Sequence, residues 1–324
     1  VRRAAVLVGL APAVLAVLVL SVPAPADAAA AAGSAAVSAA PAPPTPVQDE
    51  YAQPGPFGVV HQGLADPTGT VPFELYRPRD LGEPGTRHAL VTWGNGSFAH
   101  PVDYDPLLRH LASWGFVVIA STGDQVGTGE EQLAGVQRAS QLDADPGDPL
   151  HGHVDLERVA AAGHSQGAGG SVRAANAPSS PIDTVLTFDL PNQVFTIPPD
   201  TKAFDPSRLR VPVLFLSGAD DQLISGTLTN RAFFRSVPGA AGMALLVGSD
   251  HNGIQHGARP YPGYATAWLR YQLDGDPVAA AAFTGPHPEL LTAPGWQDQA
   301  LKHLTAPAPA PAPEIANSGV LGRR

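Results

Sequence analysis

Six short apolar runs recur along the middle of the chain: HALVTW (88–93), FVVIA (116–120), RVAAA (158–162), DTVLTF (183–188), VPVLFL (211–216) and MALLV (243–247). Each is apolar almost throughout, the pattern of a strand buried on both faces of a parallel sheet. Between the runs, apolar positions fall at helical spacing. In DPLLRHLASWG, Leu107, Leu108, Leu111 and Trp114 share one face. Asp105 is placed to cap that helix, Pro106 to open it and Gly115 to stop it. Thr128 and Glu131 have capping-box spacing before a second helix. In YATAWLRYQL, Tyr264, Trp268 and Tyr271 form a stripe read as core. Strands alternating with helices predict an α/β fold, a mostly parallel doubly wound sheet flanked by helices, with no large lid domain.

The ends have a different texture. Arg2 and Arg3, an apolar run and the small-x-small triplet Ala26-Asp27-Ala28 predict a signal peptide over residues 1–28, removed on export. Residues 29–54 are rich in Ala and Pro and read as a flexible segment, and APAPAPAPE (306–314) places an extended tail over 305–324. One domain, 55–304, is expected between them. A net charge of −10 argues against nucleic acid, and against a stable membrane partner once the leader is cleaved. With no Cys in the chain, disulfides, thiolate zinc sites and a Cys nucleophile are excluded.

The chemistry centres on GHSQG (163–167), between a predicted strand and a helix of small residues. G-x-S-x-G at such a junction is a nucleophile elbow, which presents Ser165 at the C-terminal edge of the sheet beside a helix N-terminus. A Ser hydroxyl needs a base, and the base needs an orienting carboxylate. VPVLFLSGADDQLI ends a strand in a turn bearing Asp220 and Asp221, and MALLVGSDHNG ends another in a loop bearing His251. Position leaves both acids open, and His256 competes with His251 from farther along its loop. His164 is expected to pack or hydrogen-bond below the elbow. Two N–H donors are needed for a tetrahedral oxyanion: the backbone amide of Gln166, and an amide of the WGNGS turn, with Asn95 the first choice. Asp143, Asp145, Asp148, His151 and His153 cluster in a loop but match no ligand set, so a solvated loop is expected and neither metal nor cofactor is assigned.

These residues resemble the α/β-hydrolase superfamily and, within it, the bacterial cutinase and polyester-hydrolase relatives. GHSQGAGG is similar to that group's GHSMGGGG elbow, WGNG stands at its oxyanion turn, and HLASWGFVVIAS is similar to its next helix and strand. The resemblance implies Asp221, three positions after Gly218, as the acid and His251, in a Gly-x-x-His turn, as the base. Three departures stand out. Gln166 replaces Met, DLPNQ (189–193) lacks the aromatic residue found there in polyester hydrolases, and the C-terminal disulfide cannot form. The expected function is a secreted, monomeric serine carboxylic-ester hydrolase. Its partners are esters of short-to-medium acyl chains or polyesters; a lipase-type acylhydrolase is the alternative, ahead of a peptidase or a non-catalytic binding protein. DLPNQVFTIPPDTKAFDPSRLR is too Pro-rich for a long lid helix, and its Phe195, Ile197 and Phe204 are expected to line an open cleft.

Overall fold

Nine strands form a single sheet: β1 (Val59–Leu64), β2 (Phe73–Pro78), β3 (His88–Gly94), β4 (Val117–Ser121), β5 (Val154–His164), β6 (Thr184–Phe188), β7 (Val213–Gly218), β8 (Ala241–Leu246) and β9 (Trp296–Lys302). The computed structural model describes residues 46–66, 68–69, 72–196, 202–257 and 260–307. The expected signal peptide, most of the Ala/Pro-rich segment and the tail beyond 307 lie outside them. Sheet order is β1-β2-β4-β3-β5-β6-β7-β8-β9. Strands β3 to β8 run parallel, while β1, β2 and β9 pair antiparallel at the two edges. This is the α/β-hydrolase arrangement expected from the apolar runs.

The apolar runs are continuous because both faces of the sheet are covered. Ala89, Val91 and Trp93 of β3 face one core layer, while Leu90 faces the other. The first layer is closed by α1 (Val47–Tyr51), α2 (Asp105–Ser113), α6 (Tyr261–Asp274) and α7 (Pro277–Ala280), and the second by α3 (Glu130–Ala144), α4 (Gln166–Asn176) and α5 (Thr227–Ser236). Tyr264, Trp268 and Tyr271 are core, as their stripe predicts. In α2 the cap is Tyr104 rather than Asp105, whose carboxylate is held by Arg109 one turn on. Gly115, with φ +101°, follows the last turn.

The packed domain begins earlier than the composition suggested. Val47 and Tyr51 are buried, and Glu289 accepts the amides of Val47 and Gln48 at 2.6 and 2.9 Å. No helix among the described residues is long and apolar enough to cross a membrane.

Candidate active site

Five strands end at one edge of the sheet, and each feeds the site. Strand β3 leads into the turn at Asn95–Phe98, β5 into Ser165, β6 into Asp189, β7 into Asp221 and β8 into the loop of His251. The crevice beyond the carboxyl ends of parallel strands is where this architecture gathers chemistry.

Ser165 sits between β5 and α4 with φ 51° and ψ −121°, a conformation rarely adopted by an L residue. The elbow is tight enough to require both flanking glycines. A Cβ on Gly163 would come within 2.5 Å of the Gly167 carbonyl oxygen, and one on Gly167 within 2.2 Å of the Gly94 oxygen. The Ser165 amide donates to Phe188 O at 2.9 Å, tying the elbow to β6.

The Ser165 hydroxyl lies 2.9 Å from His251 Nε2, and His251 Nδ1 lies 2.6 Å from Asp221 Oδ2. The Asp221 carboxylate also accepts the amides of Ile224 and Ser225, each at 2.9 Å. Burial pushes this carboxyl up, but the bond and charge of His251 and the two amides outweigh it and leave it below the usual range. Asp220 is exposed.

His164 lies beneath the nucleophile. Its Nε2–H donates to the His251 carbonyl at 2.7 Å, so its Nδ1 accepts from the Tyr104 hydroxyl at 2.9 Å. Tyr104 Oη in turn accepts the Gly96 amide at 2.9 Å. One hydrogen-bonded chain thus joins the turn after β3 to the loop of His251. Burial, reinforced by the nearby His251, drives the His164 imidazole down to about 3, and burial raises the Tyr104 phenol to about 12.

Asp189 went unnoticed in the sequence. It is fully buried with φ 49°, accepts the Gly218 amide at 2.7 Å through Oδ1, and leaves Oδ2 without a partner among the described residues. Asp189, Asp221 and His251 each place a polar atom within 4.8 Å of the others. Burial pushes Asp189 well above the carboxylate range, and the neighbouring Asp221 adds to the shift. The two acids are therefore pushed in opposite directions, Asp221 towards its ionised form and Asp189 towards its neutral form.

A cavity of about 430 Å³ opens over Ser165. Phe98, Pro191, Phe195, Phe204 and Ile224 supply apolar wall, and Gln125, Gln166 and Lys202 supply polar wall. Of the three residues proposed for the cleft, Phe195 and Phe204 are on this cavity wall, and Ile197 lies outside the described residues.

Asn95 is fully buried and is not among the residues lining the cavity; its side-chain Nδ2 donates to the carbonyls of Ser121 and Gly123 and its Oδ1 accepts from the Trp93 indole. Strand β3 runs one residue past the apolar run, so the turn opens later, and Gly96, Ser97 and Phe98 line the cavity. The amides of Gly96 and Phe98 are committed to Tyr104 and Asp124, while that of Ser97 has no partner among the described residues. The Gln166 amide is a first-turn donor of α4.

In the loop of 143–155, carboxylates of Asp143, Asp145 and Asp148 accept nearby backbone amides. His151 and His153 bond to the carbonyls of Asp143 and Thr86.

Comparison with known proteins agrees with the geometry. Residues 31–294 match the family model described as PET hydrolase-like. The chain is 28% identical over 248 residues to Cutinase 2 of Thermobifida cellulosilytica, covering 69% of this chain and 83% of that protein. It is also 28% identical over 248 residues to Cutinase cut1 of Thermobifida fusca, covering 69% and 68% respectively.

Proposed function

The chain belongs to the PET hydrolase-like family and is a serine carboxylic-ester hydrolase, and from that premise we propose that Ser165, His251 and Asp221 are its catalytic triad. The observation that carries the assignment is the unbroken hydrogen-bond path from Ser165 Oγ through His251 to Asp221. His251 Nε2 takes the hydroxyl proton as Ser165 Oγ attacks the ester carbonyl, and Asp221 holds the imidazole in the tautomer that accepts it. The amides of Gln166 and Ser97 take the oxyanion. Collapse expels the alcohol with the proton from His251. Water, deprotonated by the same imidazole, then releases the acid from the acyl-enzyme.

The substrates of this reading are short-to-medium acyl esters, including aliphatic polyesters. The cleft is partly apolar, and the described residues between β6 and β7 include two short turns, Gln193–Phe195 and Pro206–Arg208. Export, read from residues 1–28, suits a polymer that cannot enter a cell, and the reading includes a monomer.

An organophosphonate should add once, on the peptide containing Ser165, and esters of graded acyl length should be turned over without a rate jump at the substrate's solubility limit. Labelling elsewhere would remove the triad assignment. Interfacial activation with a preference for long-chain triglycerides would replace the open-cleft esterase by a lipase.

A further inference from the structure

Lys202 is one of two lysines in the chain, and it is only 9% exposed. Its stem packs over Gly127, where an added Cβ would sit 3.1 Å from Lys202 Cδ. Its ammonium donates to Gln125 Oε1 at 2.6 Å and to Gln166 Oε1 at 3.0 Å. Two of its three N–H donors are therefore used, both on neutral amides, and no carboxylate pairs with it among the described residues. The cavity over Ser165 contains no acidic side chain and no arginine on its described wall, so Lys202 is its one fixed charge.

A largely buried ammonium solvated by two amide oxygens, with an unused donor at a cavity wall, is incompletely compensated. A monoanion reaching it from the cavity would gain a charge-assisted hydrogen bond. Gln166 follows the nucleophile in sequence, and Ser165, Gln166 and Lys202 line the same cavity. The Gln166 side-chain nitrogen is taken by Asp124 O at 2.7 Å, which keeps its oxygen turned to Lys202.

We infer that Lys202 forms an anion subsite for the free carboxylate of a half-ester, the monoester of an aliphatic dicarboxylic acid. The inference rests on the ester-hydrolase reading and names its substrate class. The ester acyl–oxygen bond breaks, and the alkoxide leaves with the Ser165 proton passed through His251. Water then adds its hydroxyl to the acyl carbon and its proton returns to Ser165, and the distal carboxylate stays on Lys202 throughout. Cutting a polyester of diacid and diol leaves such a carboxylate on the new acid end. The subsite therefore favours oligomers presented by that end.

The test compares kcat/KM for monoethyl half-esters of graded length with length-matched ethyl alkanoates, at about 0.15 M salt so that the long-range field of the acidic protein is screened. The protein as it stands should favour the half-ester of one length by roughly tenfold or more, mainly through KM. Lys202→Met should abolish that ratio, and Lys202→Arg should retain much of it. Absence of any preference overturns the subsite, as does an equal fall in kcat on charged and neutral esters, which would make Lys202 a support for Gln166 alone. Calorimetric titration with adipate separates this inference from the ester reading. Binding that is lost in Lys202→Met and kept in Lys202→Arg supports the subsite even if no ester turns over, and no binding to the parent protein overturns it.

Discussion

His164 Nε2–H donates to the backbone carbonyl of His251 across 2.7 Å, so the residue before the nucleophile holds the loop that carries the base. Only the neutral imidazole fits. Its other nitrogen must accept the Tyr104 hydroxyl, and a second proton would sit buried against that donor.

This geometry makes stability depend on pH. The His164 pKa is depressed to about 3 in the fold against an ordinary 6.5. Its contribution is therefore intact above the unfolded value and is lost as pH falls from about 6.5 towards 3. Between pH 7 and 4.5, it should cost the parent protein ~2.5 kcal/mol. Urea unfolding at both pH values should show this extra loss in the parent but not in His164→Gln. Equal losses would mean that His164 already carries a proton in the fold.

Asp220 and Asp221 are neighbours with opposite expectations. Asp221→Asn leaves His251 without its orienting carboxylate and should lower kcat on the order of 10⁴-fold. Asp220→Asn alters an exposed turn residue and should change it by about twofold or less. Steady-state rates on a soluble ester decide, and a sensitive Asp220 would reassign the acid.

Asp189 should behave as a neutral group. Its folded pKa lies above the ordinary 3.8, so the folded protein binds the extra proton and loses stability as pH rises through that range. Asparagine keeps an oxygen for the Gly218 amide and does not titrate. The melting temperature of Asp189→Asn relative to the parent should therefore increase from about pH 4 to pH 7. A constant difference would show that Asp189 is ionised in the fold.

Gly167→Ala should cost roughly 3 kcal/mol or more, because its Cβ would meet backbone oxygen rather than a movable side chain. Gly239→Ala, with nothing within 4 Å of the added Cβ, should change stability by about 1 kcal/mol or less. Denaturant titration of the two variants measures the contrast, and a mild Gly167→Ala would contradict the close approach of α4 to β3.

The chain's own pattern determined β3 to β8, because strands covered on both faces must be apolar at every position. It did not reveal β1, β2 or β9. Edge strands keep one face wet, and stretches such as VVHQGL and WQDQALK carry no continuous run. The elbow was legible because G-x-S-x-G is a local steric requirement, met by residues four apart. Other features depend on contacts between distant strand ends, which have no local signature. Tertiary structure alone brought Asp221 rather than Asp220 to His251, and placed Ser97 on the cavity wall while turning Asn95 into the sheet. It also buried Asp189 near Asp221 and His251. Lys202 acquired its place on the cavity wall shared with Ser165 only because Gln125 and Gln166 converge on it from elsewhere in the chain.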